Sequence, residues 1–217
     1  MSLVEDFGAR LHRGDLALSQ GRNPEAETEL RAALELQPRS VKANFKLGIA
    51  LERQRKWAPA EMAFREAIRW KRDHALAWLR LAASCRRQGK SVEEEEAIRE
   101  AARLAPTNAE ACHNLAVTLA RLGRLGEAVT AYLQAIAVAP GNPVIHDGLG
   151  MVYMAQRRHE DAASAFREER CDEIEIGERC VERRNERRFD PLVLDDLLRD
   201  NRGPLGPVEE DMRDAKL

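Results

Sequence analysis

Cysteine and histidine are the residues of this chain whose spacing would first indicate chemistry. The sequence contains four cysteines, and Cys171 and Cys180 are too far apart to form half of a CxxC zinc site. No HxxxH or HExxH motif occurs, so the histidines offer no pair of metal ligands at helical spacing. No Ser-His-Asp, Cys-His or paired-carboxylate arrangement stands out. The sequence therefore predicts no catalytic centre, no metal site and no cofactor.

Arginine and lysine are the next candidates, because their cationic groups bind carboxylates and phosphates. Residues 1–158 carry 24 Lys+Arg and 19 Asp+Glu, a balance of +5, whereas residues 159–217 carry 11 and 18, a balance of −7. We expect the two parts to attract each other or different partners. Nucleic acid is not favoured, because the run at 183–188 (RRNERR) is short, lacks aromatic residues and lies in an acidic region.

The composition indicates which elements must position these side chains. A third of the residues are charged and only 5% are aromatic, which favours helices over a β-sandwich or barrel. No apolar run approaches the roughly 20 residues of a membrane span. The N-terminus lacks a basic start followed by a continuous apolar segment. The sequence predicts a cytoplasmic protein that does not contact a membrane.

A period of 34 residues organises most of the chain. Small, large, proline and glycine positions recur in register, and this pattern resembles the tetratricopeptide repeat. The resemblance implies an all-α, right-handed solenoid of about five helix-turn-helix repeats, beginning near residues 7, 41, 75, 109 and 143. The recurring positions include Ala26, Ala60, Ala128 and Ala162; Leu30, Phe64, Ile98, Tyr132 and Phe166; Pro38, Pro106 and Pro140; and Gly21, Gly89 and Gly123.

The same frame divides the chain into four parts. We expect a helical extension at 1–6, the repeat array at 7–174, a capping helical region at 175–200 and a disordered tail at 201–217. A polar outer face on the last unit of an array keeps it soluble. Cys85 and Cys112 occupy positions that are usually apolar, so we expect both to be buried.

Helix ends and crossings follow from local residue types. Gly123 is predicted to end a first helix in a left-handed conformation, with Gly126 just before the second helix. Ala116 and Ala128 are expected where the two helices cross, because larger side chains would separate the axes. Five further sites carry N-cap signals: Ser2–Glu5 and Ser91–Glu94 as capping boxes, Asn142 before Pro143, and Ser40 and Asn108 at the corresponding cap positions of other repeats.

The resemblance also implies a concave groove lined by the first helix of every repeat. In repeats 2 to 4, positions 6 and 13 of the first helix are mostly basic, and positions 5 and 9, which they flank, are mostly apolar. The arginines at position 13 of the repeat also lie at helix C-termini, where they offset the helix dipole whatever the function. The predicted groove residues are Phe45, Lys46, Ile49, Arg53, Leu79, Arg80, Arg87, His113, Asn114, Val117, Arg121 and Met151.

Such an array predicts a non-catalytic scaffold that binds a protein or peptide segment with acidic and apolar residues. The carboxylate clamp of chaperone-binding repeats does not carry over, because Leu11 and Asp15 stand where that clamp has lysine and asparagine, and Leu76 stands where it has lysine. One alternative is a regulatory or substrate-recruiting subunit of a separate enzyme complex. Another is weak binding of nucleic acid through the basic groove.

The C-terminal segment FDPLVLDDLLRDN (189–201) has its own predicted role. It combines aspartates with Leu192, Leu194, Leu197 and Leu198, and Pro191 is a good start for a short helix. We expect it either to occupy the groove of its own or a neighbouring molecule, or to pack on the end of the array. Occupying a neighbour's groove would produce self-association.

Overall fold

The computed structural model describes residues 3–171, and this part of the chain folds into ten helices and no strands. Consecutive helices pair as five hairpins, and each hairpin packs on the next. This arrangement is the predicted all-α solenoid. The helices are α1 Leu3–Ser19, α2 Asn23–Leu36, α3 Val41–Arg53, α4 Trp57–Trp70, α5 Ala75–Arg87, α6 Ser91–Leu104, α7 Ala109–Arg121, α8 Leu125–Val138, α9 Pro143–Ala155 and α10 His159–Cys171.

The turn inside each hairpin contains one residue in the left-handed region. Gly123 has φ 75°, which confirms the prediction for the first glycine of LGRLGE. Two repeats place arginine in this conformation, Arg55 with φ 59° and Arg157 with φ 60°. The prediction for Gly126 was wrong by a residue or two, because α8 begins at Leu125 and Gly126 lies in its first turn.

Small residues bring the paired helices together. Ala116 and Ala128 are both fully buried, as expected at a helix crossing. Gly48 shows how close the helices come, because a Cβ added there would lie 2.4 Å from the ring of Phe64. Phe64 is itself 0% exposed, so this ring fills the space that the missing side chain leaves.

Side-chain caps begin the first helices of repeats 2 to 5. Ser40, Asn108 and Asn142 accept a backbone N–H, at 3.3, 3.2 and 3.1 Å respectively, which confirms these caps. His74 occupies the same place in repeat 3, and its Nδ1 accepts the Ala77 amide at 3.3 Å. The cap at Ser2 lies outside the described residues.

A second hydrogen bond fixes the turn that precedes each of these helices. The fourth position of the repeat donates to a backbone carbonyl six residues earlier. Asn44 Nδ2 donates to Pro38 O at 3.0 Å, and Trp78 Nε1 donates to Arg72 O at 2.8 Å. Cys112 Sγ and His146 Nε2 make the equivalent contacts to Pro106 O and Pro140 O, at 3.6 and 2.6 Å.

The predicted capping region at 175–200 and tail at 201–217 lie outside the described residues. Within residues 3–171, no helix combines the length and apolar character needed to cross a membrane.

Candidate interaction surfaces

The first helices of repeats 2, 3 and 4 enclose a hollow of about 250 Å³, which we call the first-helix hollow. Four of the predicted groove residues line it: Leu79, Arg80, Arg87 and Asn114. The other lining residues are Glu52, Trp57, Ala83, Arg86 and Glu110. Three guanidinium groups and two carboxylates therefore share one small space.

Arg86 is a lining residue that sequence reasoning missed. Among the described residues its guanidinium group makes no hydrogen bond or ion pair, and that of Arg87 makes no ion pair. Arg80 lies 3.4 Å from a Glu52 oxygen, and its buried Nε has no hydrogen-bond partner among the described residues. The hollow therefore offers guanidinium groups that can bind an added acceptor. Its signal in the sequence was its place in the repeat, because positions 12 and 13 both face the groove in the repeat pattern, but only Arg87, at position 13, was named among the predicted groove residues.

The arginines at position 13 contact the preceding repeat. Arg53 Nη1 donates to the Leu18 carbonyl at 2.7 Å, at the C-terminus of α1. The Arg87 guanidinium carbon lies 5.7 Å from the centre of the Trp57 ring. Arg121 pairs with Glu94. Of the three, Arg87 alone lines the first-helix hollow, because the others bind groups on α1 and α6.

Glu94 is a buried carboxylate at the junction of repeats 3 and 4. Its side chain is only 3% exposed, and it accepts the Thr118 hydroxyl at 3.0 Å while pairing with Arg121. The predicted capping box was wrong, because Ser91 is already inside α6 and no side chain caps that helix. A buried carboxylate requires a partner, and Arg121 supplies it across the junction.

The remaining predicted groove residues lie outside the hollow. Lys46 pairs with Asp15. Phe45 packs on His74 and Phe64, with ring centres 4.7 and 5.8 Å apart. His113 lies against the edge of Tyr132, and burial followed by the charge of Arg86 lowers the pKa of its imidazole. Ile49, Val117 and Met151 are half-buried.

The second helices carry a repeated polar cluster between repeats, which we call the junction cluster. In the first junction, Glu27 accepts from Arg31 on its own helix and from Gln54 and Lys56 in the next repeat, at 3.0, 3.0 and 2.8 Å. Burial raises the pKa of Glu27, but these hydrogen bonds outweigh it and leave the pKa below its ordinary value. The corresponding groups are Glu61, Arg65, Gln88 and Lys90 in the second junction and Glu95, Arg99 and Arg124 in the third.

A larger hollow of about 620 Å³ lies between α6 and α8, over α7, and we call it the second-helix hollow. Pro106, Cys112, Leu115 and Val138 give it an apolar lining. Arg99, Glu100 and Arg103 line it from α6, and Arg103 pairs with Glu100 at 2.8 Å. None of the predicted groove residues lines this space.

The described residues show no sign of a reactive centre. Within residues 3–171, no group of three or more His, Cys, Asp and Glu is placed to hold a metal ion. Cys85 is fully buried, as predicted, and burial raises the pKa of its thiol to about 11. Cys112 is 2% exposed, and burial also raises its pKa.

The chain belongs to the tetratricopeptide repeat family, whose model matches residues 11–69, 53–109 and 113–173. No protein with a curated description shows significant sequence similarity to it. Solved structures share the fold at low sequence identity. A structure of MamA is 19% identical with a TM-score of 0.75, covering 79% of this chain and 93% of MamA.

Two further structures are similar. YrrB, described as a tetratricopeptide repeat protein with an unusual peptide-binding site, is 19% identical with a TM-score of 0.68, covering 74% of this chain and 83% of YrrB. PilF of Pseudomonas aeruginosa is 18% identical with a TM-score of 0.65, covering 77% of this chain and 76% of PilF. At these identities the likeness concerns the fold alone, and one fold supports many functions.

Proposed function

We propose that this protein is a non-catalytic interaction scaffold that binds a protein or peptide segment carrying acidic and apolar residues. The observation that carries the proposal is the first-helix hollow, in which Arg86 and Arg87 make no ion pair with the described residues. Guanidinium groups bind carboxylates in a bidentate manner. A stacked helical array presents such a surface over several repeats.

The contacts narrow the binding residues to the middle of the array. Arg53, Lys46 and Arg121 are already engaged within the chain. Arg80 also pairs with Glu52, at 3.4 Å. The anionic group of a partner would therefore bind at Arg86 and Arg87, and Trp57 would supply apolar contact beside them.

A protein ligand fits this surface better than nucleic acid. Glu52 and Glu110 line the same hollow as the arginines, and they would repel a continuous row of phosphates. A peptide can place a single carboxylate among the guanidinium groups and direct neutral residues toward the glutamates. A subunit that recruits substrate to a separate enzyme would use the same surface, and the identity of the captured partner would reveal it.

Affinity capture from a lysate of the source organism tests the proposal. We expect the Arg86→Glu/Arg87→Glu variant to lose proteins that the wild type retains, at least tenfold by quantitative mass spectrometry. The matched control is Lys71→Glu/Arg72→Glu, which makes the same change of charge on exposed residues outside the hollow. An unchanged set of proteins with the first variant would contradict the proposal. Heparin binding that modest salt abolishes would indicate nucleic acid instead.

A further inference from the structure

The outer side of α8 lacks the charges that its counterparts carry. Position 21 of the repeat is glutamate in α2, α4 and α6, and position 25 is arginine, whereas α8 has Val129 and Leu133 there. Leu133 is 50% exposed, and Ala137, one turn later on the same face, is also exposed. One exposed leucine is not unusual by itself, but the loss of both charged positions distinguishes this side of α8 from the same side of α2, α4 and α6.

This strip continues into the second-helix hollow. Ala137 and Val138 line the hollow from α8, and Leu115 lines it from α7. Arg99, Glu100 and Arg103 line it from the opposite helix, α6, and give this wall a net positive charge. Arg99 pairs with Glu95 and Glu127, and Arg103 pairs with Glu100, but neither guanidinium group uses its Nη1 in these pairs. The hollow is thus an apolar trough with two partly exposed arginines along one wall, which suits an amphipathic segment with acidic residues on its polar side.

The chain itself contains such a segment. In residues 191–201, Leu194, Leu197 and Leu198 have the spacing i, i+3 and i+4, which places them on one face if the segment is helical. Asp195, Asp196 and Asp200 provide the acidic groups.

The place where the described chain ends brings this segment within reach. Because the hairpins repeat, α10 is placed relative to α8 as α8 is placed relative to α6. The C-terminus of α10, at Cys171, therefore lies on the same edge of the array as the C-terminal halves of α6 and α8, which line the hollow. The 19 residues 172–190 separate Cys171 from the segment. That length of chain spans at most about 60 Å, several times the 8–10 Å distance that separates packed helices.

We propose that residues 191–201 of this chain bind in the second-helix hollow, with the three leucines against α8 and the aspartates toward Arg99 and Arg103. This site replaces the first-helix hollow as the location of the tail. Five of the nine residues that line the first-helix hollow are charged, and only Trp57, Leu79 and Ala83 are apolar, so it offers three leucines less apolar surface than the second-helix hollow does. The tail then covers the uncharged strip of α8 and leaves the arginines of the first-helix hollow open to a partner.

Photochemical cross-linking of the full chain tests the site. A benzoylphenylalanine that replaces Leu194 should form a cross-link within one molecule, and mass spectrometry should map it to residues 99–138. Leu133→Arg introduces the residue found at the equivalent exposed positions Arg31 and Arg65, and it should lower the yield at least fivefold. Met62→Arg, an equally simple change on the exposed side of α4, should leave the yield unchanged.

Several outcomes would overturn the inference. These are cross-links to α3, α5 or the residues of the first-helix hollow, a product with the mass of a dimer, or no cross-link at all. An equal loss of yield in the Leu133→Arg and Met62→Arg variants would also overturn it. Circular dichroism of both variants should give the helical spectrum of the wild type, which checks that each is folded. The result is independent of the capture experiment, because neither variant alters the first-helix hollow.

Discussion

The junctions between the first four repeats differ from the last junction in how they are held together. At each of the first three, a glutamate on a second helix binds cationic side chains on its own helix and in the next repeat. At the fourth junction Val129 stands in place of that glutamate. Gln156 and Arg158 are still present there, but Arg158 bonds to Asp161 and Gln156 within its own repeat.

This difference shows that the apolar core and the polar contacts of a repeat array are separable. Ala128, Tyr132 and Ala135 are buried in repeat 4 much as their counterparts are in the other repeats. The helical packing therefore persists without the junction cluster. Because the stability of a repeat array is approximately a sum of repeat and junction contributions, we expect repeat 5 to separate from the array before the other repeats do.

The largest expected effect on the free energy of unfolding comes from adding a methyl group at a helix crossing, in an inner repeat and in the terminal repeat. A Cβ added at Gly48 would lie 2.4 Å from Phe64, and one added at Gly150 would lie 2.4 Å from Phe166. Phe64 is fully buried, whereas Phe166 is only half-buried and has more freedom to move. We expect Gly48→Ala to lower the free energy of unfolding by about 3 kcal/mol and Gly150→Ala by about 1 kcal/mol. Urea denaturation measures both, and equal values would contradict the comparison.

The next effect concerns acid sensitivity of the junction cluster. Burial raises the pKa of Glu61, but hydrogen bonds from Lys90, Gln88 and Arg65 outweigh it, so the pKa is lower in the folded protein than in the unfolded chain. The unfolded state then binds more protons, and stability is lost as the pH falls below about 4.3 and through the folded pKa.

Glu61→Gln tests this acid sensitivity. We expect it to cost about 1–2 kcal/mol at pH 7, because it removes charged hydrogen bonds, and to flatten the loss of stability between pH 5 and about pH 3. Thermal unfolding over this range measures the slope. Glu25→Gln, an exposed glutamate outside the junction cluster, is the control. Identical slopes in the wild type and Glu61→Gln would exclude Glu61 as a source of acid sensitivity.

A gain of stability is expected from completing the fourth junction. Val129→Glu/Leu133→Arg supplies the missing acceptor and its arginine, opposite Gln156 and Arg158. We expect the double variant to raise the free energy of unfolding by about 0.5–1 kcal/mol, as exposed ion pairs do. Adding Gln156→Ala and Arg158→Ala should remove the gain, since both changes remove donors across the junction. A gain that survives these changes would point to an effect within α8 alone.

The smallest expected effect concerns the turns. Arg55 and Arg157 adopt a left-handed conformation that glycine adopts without strain. Arg55→Gly and Arg157→Gly should each stabilise their hairpin by about 0.5 kcal/mol, after the entropic cost of glycine is subtracted. The gain should appear in global unfolding for Arg55→Gly. For Arg157→Gly it should appear in amide hydrogen exchange of α9 and α10, because repeat 5 opens first. A global gain from Arg157→Gly and a purely local gain from Arg55→Gly would contradict the expectation that repeat 5 separates first.

The fold followed from the sequence because the signals that specify it are local and repeated. Ala128 and Gly123 recur every 34 residues, and each has a physical reason that holds without knowledge of the neighbours. The binding surface was harder to predict, because the partner of a long side chain depends on the neighbouring repeat. Arg121 occupies a groove position in the repeat pattern, yet Glu94 on α6 binds it.

The junction cluster, and its absence from the fourth junction, were both visible in the sequence. Glu27, Glu61 and Glu95 recur at the same period as the alanines, and so do the basic residues that bind them. Their absence at Val129 was equally visible. The repeat pattern places Arg86 on the groove side, but it does not show whether the guanidinium group has a partner, because that depends on where the α5 and α7 side chains lie in three dimensions.

The donors that hold the turns before the first helices also bear on the evolution of the array. An amide, an indole, a thiol and an imidazole satisfy the same carbonyl position. In this chain the position therefore supplies one hydrogen-bond donor, and side chains of four different shapes meet that requirement. Repeats can therefore differ widely in amino-acid sequence while the spacing of their helices stays the same, which is consistent with superposition on solved arrays at only 18–19% identity.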